Sequence, residues 1–269
     1  IYFTLDGGEN WMKVNGAPTI PFRDLAIQKR ENDLVGASFG RSFYVLDDYS
    51  ILRDVSEEAL AEDAKLFSTR KAWWYEPRNL VSSQGADYYA AENPPYGAVF
   101  TYYLKEGFTS MEAERKKMEK EVEEDEDVPF PGWDALAEEK MEMKPKIWLT
   151  VKDGDGNVVR KIEAPMSKGF HRVAWNFTYP SKSGIDVDGR NGSGDGFMAL
   201  PGTYTVTLSK QDGGMITQLD EPVTFEVVPL YDGALERKSP EVFTAFRKDL
   251  EELMGDISAA YSILDKSQD

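Results

Sequence analysis

The sequence predicts a mainly β protein with a β-sandwich in its second half. Three observations carry this expectation. Residues 144–229 alternate apolar and polar side chains with period two, in runs closed by Gly, Pro and Asp, which is the pattern of half-buried antiparallel strands. Several such runs in succession suggest two packed sheets. Apolar residues make up 41% of the 269 residues and aromatic residues 12%, enough for a buried core rather than a disordered chain.

The totals also exclude. A net charge of −17 repels polyanions, so no nucleic-acid partner is expected. The chain has no Cys, which removes disulfides, thiolate metal sites and cysteine nucleophiles together. No apolar run approaches the roughly 20 residues of a membrane span. The chain starts at Ile1 with no charged-then-apolar leader. It opens inside a motif, which predicts a piece of something longer.

That motif is Thr4-x-Asp6-x-Gly8-x-x-Trp11. The spacing predicts a hairpin turn in which the Asp6 carboxylate accepts backbone N–H groups. Gly8 supplies positive φ and Trp11 packs under the turn. Three short strands follow, over 24–28, 34–38 and 42–46. The Thr4, Asp6, Gly8, Trp11 pattern resembles the Asp-box of bacterial neuraminidase repeats, found in sialidases and sortilin-type propellers. The run 33–48, with Gly40-Arg41 and an aromatic strand ending in Asp47-Asp48, is similar to the final blade of secreted propeller proteins. The resemblance implies that 1–53 is the end of a β-propeller with incomplete blades, the Asp-box being structural. A propeller needs roughly 4–8 blades, so its other blades are expected upstream.

Residues 54–85 read as a short helix over 54–66, with a capping pattern at its start, and a linker. Trp73, Trp74 and Tyr75 begin an aromatic-rich span. They are candidate glycan-stacking residues, and the competing reading is packing at a domain junction.

Residues 86–230 are expected to form the sandwich, beginning with the strand 99–104. An insertion over 109–143 interrupts it. Thr109-x-x-Glu112 reads as a capping box, and 110–143 holds thirteen acidic residues against five basic ones. A solvated helical insertion is one reading; a cation- or partner-binding arm is the other. Strands then follow around Ile147-x-Leu149-x-Val151, His171-x-Val173-x-Trp175-x-Phe177, Tyr204-x-Val206-x-Leu208 and Val223-x-Phe225-x-Val227. With Gly97-Ala98-Val99 and Leu200-Pro201-Gly202-Thr203-Tyr204, this order is similar to the Ig-like repeats of flagellar hook-capping type. Residues 231–269 hold an amphipathic helix from about 240 to 264, its stripe formed by Phe243, Phe246, Leu250, Leu253, Ile257, Ala260 and Leu264. Burial of that stripe on the sandwich or on another helix beyond this piece is expected, and an exposed partner-binding helix is the other reading.

Reactive groups are sparse. Asp153-x-Asp155-x-Asn157 starts like a calcium loop, but Val158 stands where Gly is needed and Ala164 where Glu is needed. A strand-to-strand turn accounts for it. Asp186, Asp188 and Asp195 lie among glycines and are the candidate metal ligands, for calcium, in a loop that otherwise reads as solvated. The one histidine, His171, alternates with apolar neighbours and reads as packing. No catalytic residue and no other cofactor is expected.

The resemblance spans about residues 1–230 and implies a secreted, periplasmic or cell-surface protein. The first expectation is a non-catalytic region that braces or docks a propeller, its partners being upstream blades of the same protein and a protein or glycan ligand. One alternative is the accessory C-terminal region of a sialidase-like glycoside hydrolase whose active site lies in upstream blades. The other is part of a sortilin-like peptide- or protein-binding receptor.

Overall fold

A computed structural model describes residues 1–77, 91–121, 130–182, 194–231 and 240–268. The chain is mainly β, with a sheet that curls as an open half-barrel. Two compact units divide it, one of Ile1–Glu62 with Glu92–Pro94 and one of Asp63–Ala91 with Pro95–Asp269.

The first unit opens with a hairpin of β1 (Tyr2–Phe3) and β2 (Met12–Lys13). Next come β3 (Phe22–Gln28), β4 (Asp33–Ser38) and β5 (Phe43–Leu46), an antiparallel meander in the order β3-β4-β5. The register places Leu25, Gly36 and Tyr44 opposite one another, as it does Ala26, Val35 and Val45. Facing residues share a side, so both sides of this sheet are apolar. Phe22 and Ile1 pack over Gly36 on one side, yet neither side is fully covered: Ile27 is 53% exposed on that side and Phe43 70% on the other.

A 3₁₀ turn over Tyr49–Arg53 and α1 (Glu57–Ala61) follow. Ser56 caps α1 by accepting the Ala59 N–H at 3.1 Å. The helix expected over 54–66 is therefore a single short turn. Ala64–Leu66 is extended instead, because Leu66 and Ala64 bury against a neighbouring strand.

Among its described residues the second unit contains two larger sheets and one two-stranded sheet. Of the first two, the smaller runs β11-β8-β6, from β6 (Ala64–Leu66), β8 (Ala98–Leu104) and β11 (Gly169–Trp175). Between these in sequence lie β7 (Ala72–Trp74), α2 (Met111–Glu121), α3 (Trp133–Met141), β9 (Lys146–Lys152) and β10 (Val158–Ala164). After β11 come β12 (Thr178–Pro180), β13 (Asp195–Met198), β14 (Gly202–Asp212), β15 (Met215–Gln218), β16 (Val223–Pro229) and α4 (Pro240–Gln268). The larger sheet runs β10-β9-β14-β16-β7, with β15 also on β14. All its pairings are antiparallel except β16 with β7. Both β6 and β7 come from residues that read as helix and linker in sequence.

Alternation decides what is buried. Ile147, Leu149 and Val151 point inward from β9, as do Val206 and Leu208 from β14 and Phe100, Tyr102 and Leu104 from β8, all fully buried. The sheets meet through rings: Phe100 lies 5.3 Å from Phe225, and Trp175 lies 5.1 Å from Tyr204. This aromatic layer is the core of the unit. The β9–β10 turn is held by Asp153 Oδ1, which accepts the N–H groups of Asp155 at 3.1 Å and Asn157 at 2.8 Å. It is a turn, as its sequence predicts.

The acidic insertion forms a hairpin of α2 and α3 with no buried side chain among the described residues. Ser110 rather than Thr109 caps α2, accepting the Ala113 N–H at 3.3 Å, while Glu142 takes the Met111 N–H at 3.0 Å. Arg115 reaches across to both oxygens of Glu139, at 2.7 and 2.9 Å. Lys116 and Lys144 pull the Glu112 carboxyl down to about 2 through their hydrogen bonds and charge. Ion pairs, not burial, hold this hairpin together.

The C-terminal helix corrects the sequence reading most. Its half-buried residues are Thr244, Arg247, Glu251, Gly255 and Ser258, whereas Phe246 and Leu253 are 62% and 56% exposed. The helix docks through its polar, small-residue side because Gly255 lets it approach the Lys182 carbonyl, where a Cβ would stand 2.9 Å away. The apolar stripe faces out. No helix among the described residues is long and apolar enough to cross a membrane.

Candidate functional site

The Asp6 turn assembles around one carboxylate. Asp6 Oδ1 accepts the Thr4 hydroxyl at 2.6 Å and the N–H groups of Glu9 and Asn10 at 3.0 Å each. Oδ2 accepts the Asn10 side-chain amide at 2.7 Å. Thr4 Oγ1 in turn accepts the Gly8 N–H at 3.0 Å, and Gly7 and Gly8 take φ of 77° and 107°. The Asn10 backbone donor, then Thr4 and the Asn10 amide, hold the Asp6 carboxyl well below the usual aspartate range. Trp11 closes the turn by donating Nε1–H to the Gly8 carbonyl at 3.1 Å, yet its ring is 62% exposed. With four donors of its own loop directed at the carboxylate, this turn is built to be rigid.

The aromatic candidates are not brought to one face. Trp73 and Trp74 are neighbours in β7 and point to opposite sides of the sheet. Trp74 packs against the core and donates Nε1–H to the Ala199 carbonyl at 2.8 Å. Tyr75 lies past the end of the strand, edge-on to Tyr96, whose hydroxyl donates to the Tyr75 carbonyl. Tyr96 continues the chain of rings to Phe177 at 5.4 Å. These contacts favour the packing role.

Of the candidate metal ligands, Asp186 and Asp188 lie outside the described residues. Asp195 begins β13 and is committed to a guanidinium. Its Oδ1 accepts Arg160 Nη2 at 3.1 Å and lies 2.9 Å from Thr178 Oγ1, and its Oδ2 accepts the Asn176 amide at 2.8 Å. Burial pushes this carboxyl up, but Thr178, Asn176 and the Arg160 charge outweigh it, so Asp195 ionises below the ordinary range. Arg160 also donates to the Tyr179 carbonyl at 2.9 Å. The cluster thus pins the β12–β13 hairpin to β10. Among the described residues no three of His, Cys, Asp and Glu gather as a metal group.

Other titratable groups are structural. His171 lies half-buried over the Tyr102 ring, 5.1 Å between centroids, with Nε2 at the Ser167 carbonyl. Burial pushes the Tyr102 and Tyr204 hydroxyls above their ordinary range, and they donate to the carbonyls of Pro165 and Leu200. A phenol so held is no nucleophile.

Two features escape sequence reasoning. Asp220 accepts the Leu66 N–H at 2.6 Å and pairs with Lys65 at 3.5 Å; a lone Asp in a loop carries no signal of this. A groove of about 480 Å³ lies between the β12–β13 hairpin and α4, lined by Lys182, Asp195, Phe197, Arg247 and Glu251. Arg247 sits 4.6 Å from the Phe243 ring centre, and Glu251 accepts the Phe197 N–H at 3.1 Å. The Glu251 bond docks the helix on the hairpin, whereas the Arg247–Phe243 contact lies within α4.

No protein-family model matches this chain. No curated protein matches it as a relative.

Proposed function

We propose that this chain is a non-catalytic bracing region: the closing part of an extracellular propeller joined to an Ig-like sandwich that supports it and docks it to other surfaces. One observation carries the reading. The β3-β4-β5 meander carries apolar residues on both sides and covers neither fully, with Leu25 and Ile27 exposed on one and Phe43 and Val45 on the other. A three-stranded sheet of this kind is marginal alone and needs a layer against each side. Stacked blades supply such layers, each sheet lying between two neighbours. The self-contained Asp6 turn, a Thr-Asp-Gly-Trp hairpin with no outward-facing reactive group, supports the same reading. So do the two facing sheets of the second unit, whose buried groups serve packing.

Amide hydrogen exchange on residues 22–46 tests this. The meander should exchange quickly in the 269-residue chain and become strongly protected in a longer polypeptide carrying the preceding sequence. Equal, strong protection in both would refute the proposal, because the sheet would then need no neighbour.

A further inference from the structure

The exposed side of α4 repeats with heptad spacing. Phe243, Phe246, Leu250, Leu253, Ile257 and Ala260 are separated by steps of three, four, three, four and three, the 3.5-residue period of a two-helix seam and not the 3.6 period of a helix lying on a globular core. The helix turns this seam outward because its other side is occupied. Glu251 accepts the Phe197 N–H, Arg247 lies 6.0 Å from the Phe197 ring centre, and Gly255 lies against the Lys182 backbone.

We infer that α4 is a dimerisation helix whose occupant is α4 of a second copy of this chain, paired in parallel. Area supports the assignment. Seven large side chains of the seam and its flank, the five above with Met254 and Tyr261, are about half exposed. At roughly 200 Å² for a fully exposed aromatic side chain and about 120 Å² for an aliphatic one, they offer on the order of 600 Å² per copy. That reaches the lower end of the roughly 600–1,000 Å² per partner of a standard stable interface. Charge selects the orientation. Asp249 and Asp256 occupy the g positions beside the seam, facing Met254 and Tyr261 of a parallel partner but each other in an antiparallel one. A basic, anionic-lipid-seeking face is absent: α4 carries six acidic residues (Glu241, Asp249, Glu251, Glu252, Asp256, Asp265) against Arg247, Lys248 and Lys266.

The test is the mass of the 269-residue chain in solution, by sedimentation equilibrium across micromolar concentrations. The expected mass is twice 30.3 kDa, with association tightening as added salt screens the −17 charge of each copy. Leu253→Glu should return the mass to one copy, whereas Glu252→Gln, one residue away and off the seam, should leave the dimer intact. Circular dichroism distinguishes a monomeric Leu253→Glu fold from an unfolded one, and Leu253→Ala, weakening association at least tenfold, serves if the charged variant unfolds. Because the chain has no native Cys, Ala260→Cys reports orientation: it should form a disulfide between copies, and Ser262→Cys should not. A monomeric wild-type chain at all these concentrations overturns the inference. So does a dimer that survives Leu253→Glu, or one in which Ala260→Cys fails to cross-link.

Discussion

Asp220 accepts the backbone N–H of Leu66 at 2.6 Å although the two residues stand 154 apart in sequence. The bond satisfies the outward donor of β6, an edge strand of the smaller sheet, and Lys65 of the same strand lies 3.5 Å from the carboxylate. An open edge is thereby closed by one side chain from the loop before β16.

Asp220→Ala should cost about 1–3 kcal/mol, the penalty of stranding a buried donor with its charge-assisted acceptor removed. Asp220→Asn should recover part of this, since its amide oxygen still accepts. Urea unfolding of the three proteins measures it, and an Ala variant as stable as wild type would show that water replaces the carboxylate.

Gly97 has φ of 118°, and a Cβ there would stand 1.9 Å from the Trp175 carbonyl oxygen. Gly97→Ala should therefore abolish folding or cost more than about 3 kcal/mol. Gly154→Ala is the control, because its nearest contact is an ordinary 3.7 Å. Equal thermal midpoints for the two variants would contradict this packing.

The Asp6 turn should respond to acid. Its carboxyl is depressed when folded, so its stabilisation is fully present above the unfolded aspartate value of about 3.9 and fades as pH falls toward the lower folded value. An NMR titration should find Asp6 ionised at pH values where ordinary aspartates are protonated. Asp6→Asn should remove the acid dependence of the Trp11 fluorescence. A normal Asp6 titration would show the four donors to be unformed in solution.

Arg160→Ala should release the β12–β13 hairpin without melting the core. Its partner Asp195 has a half-exposed side chain, so the global loss should stay below about 1 kcal/mol. Amide exchange of Thr178–Pro180 and Asp195–Met198 should quicken, while β9 and β14 stay protected. Uniform acceleration across all strands would instead make Arg160 part of the core's cooperative unit.

What the sequence reveals here is what periodicity can encode. Ile147-x-Leu149-x-Val151 and Tyr204-x-Val206-x-Leu208 announce both strand and inward face, because one side of each strand meets the core and the other meets solvent. The Asp6 and Asp153 turns are equally readable, since a carboxylate closing its own loop is a local event. The edge strands β6 and β7 were hidden, being three residues each and stabilised by partners far along the chain. The stripe of α4 was seen, but not its direction: amphipathicity says that a face wants cover, and only Gly255, Glu251 and Arg247 in three dimensions say which face the protein itself uses. The aromatic run left two readings open for a similar reason. Trp73 and Trp74 are adjacent in composition and opposite in space.

The parallel contact between β7 and β16 has a consequence for biogenesis. Ala72 meets Val227, so the early strand must wait while roughly 155 further residues are made, about 10–30 s at typical synthesis rates. Until then Trp73 and Trp74 sit on a nascent strand whose sheet does not exist. Closure of the larger sheet therefore waits for β16 to be made, and until then that segment has to stay apart from neighbours that could pair with it.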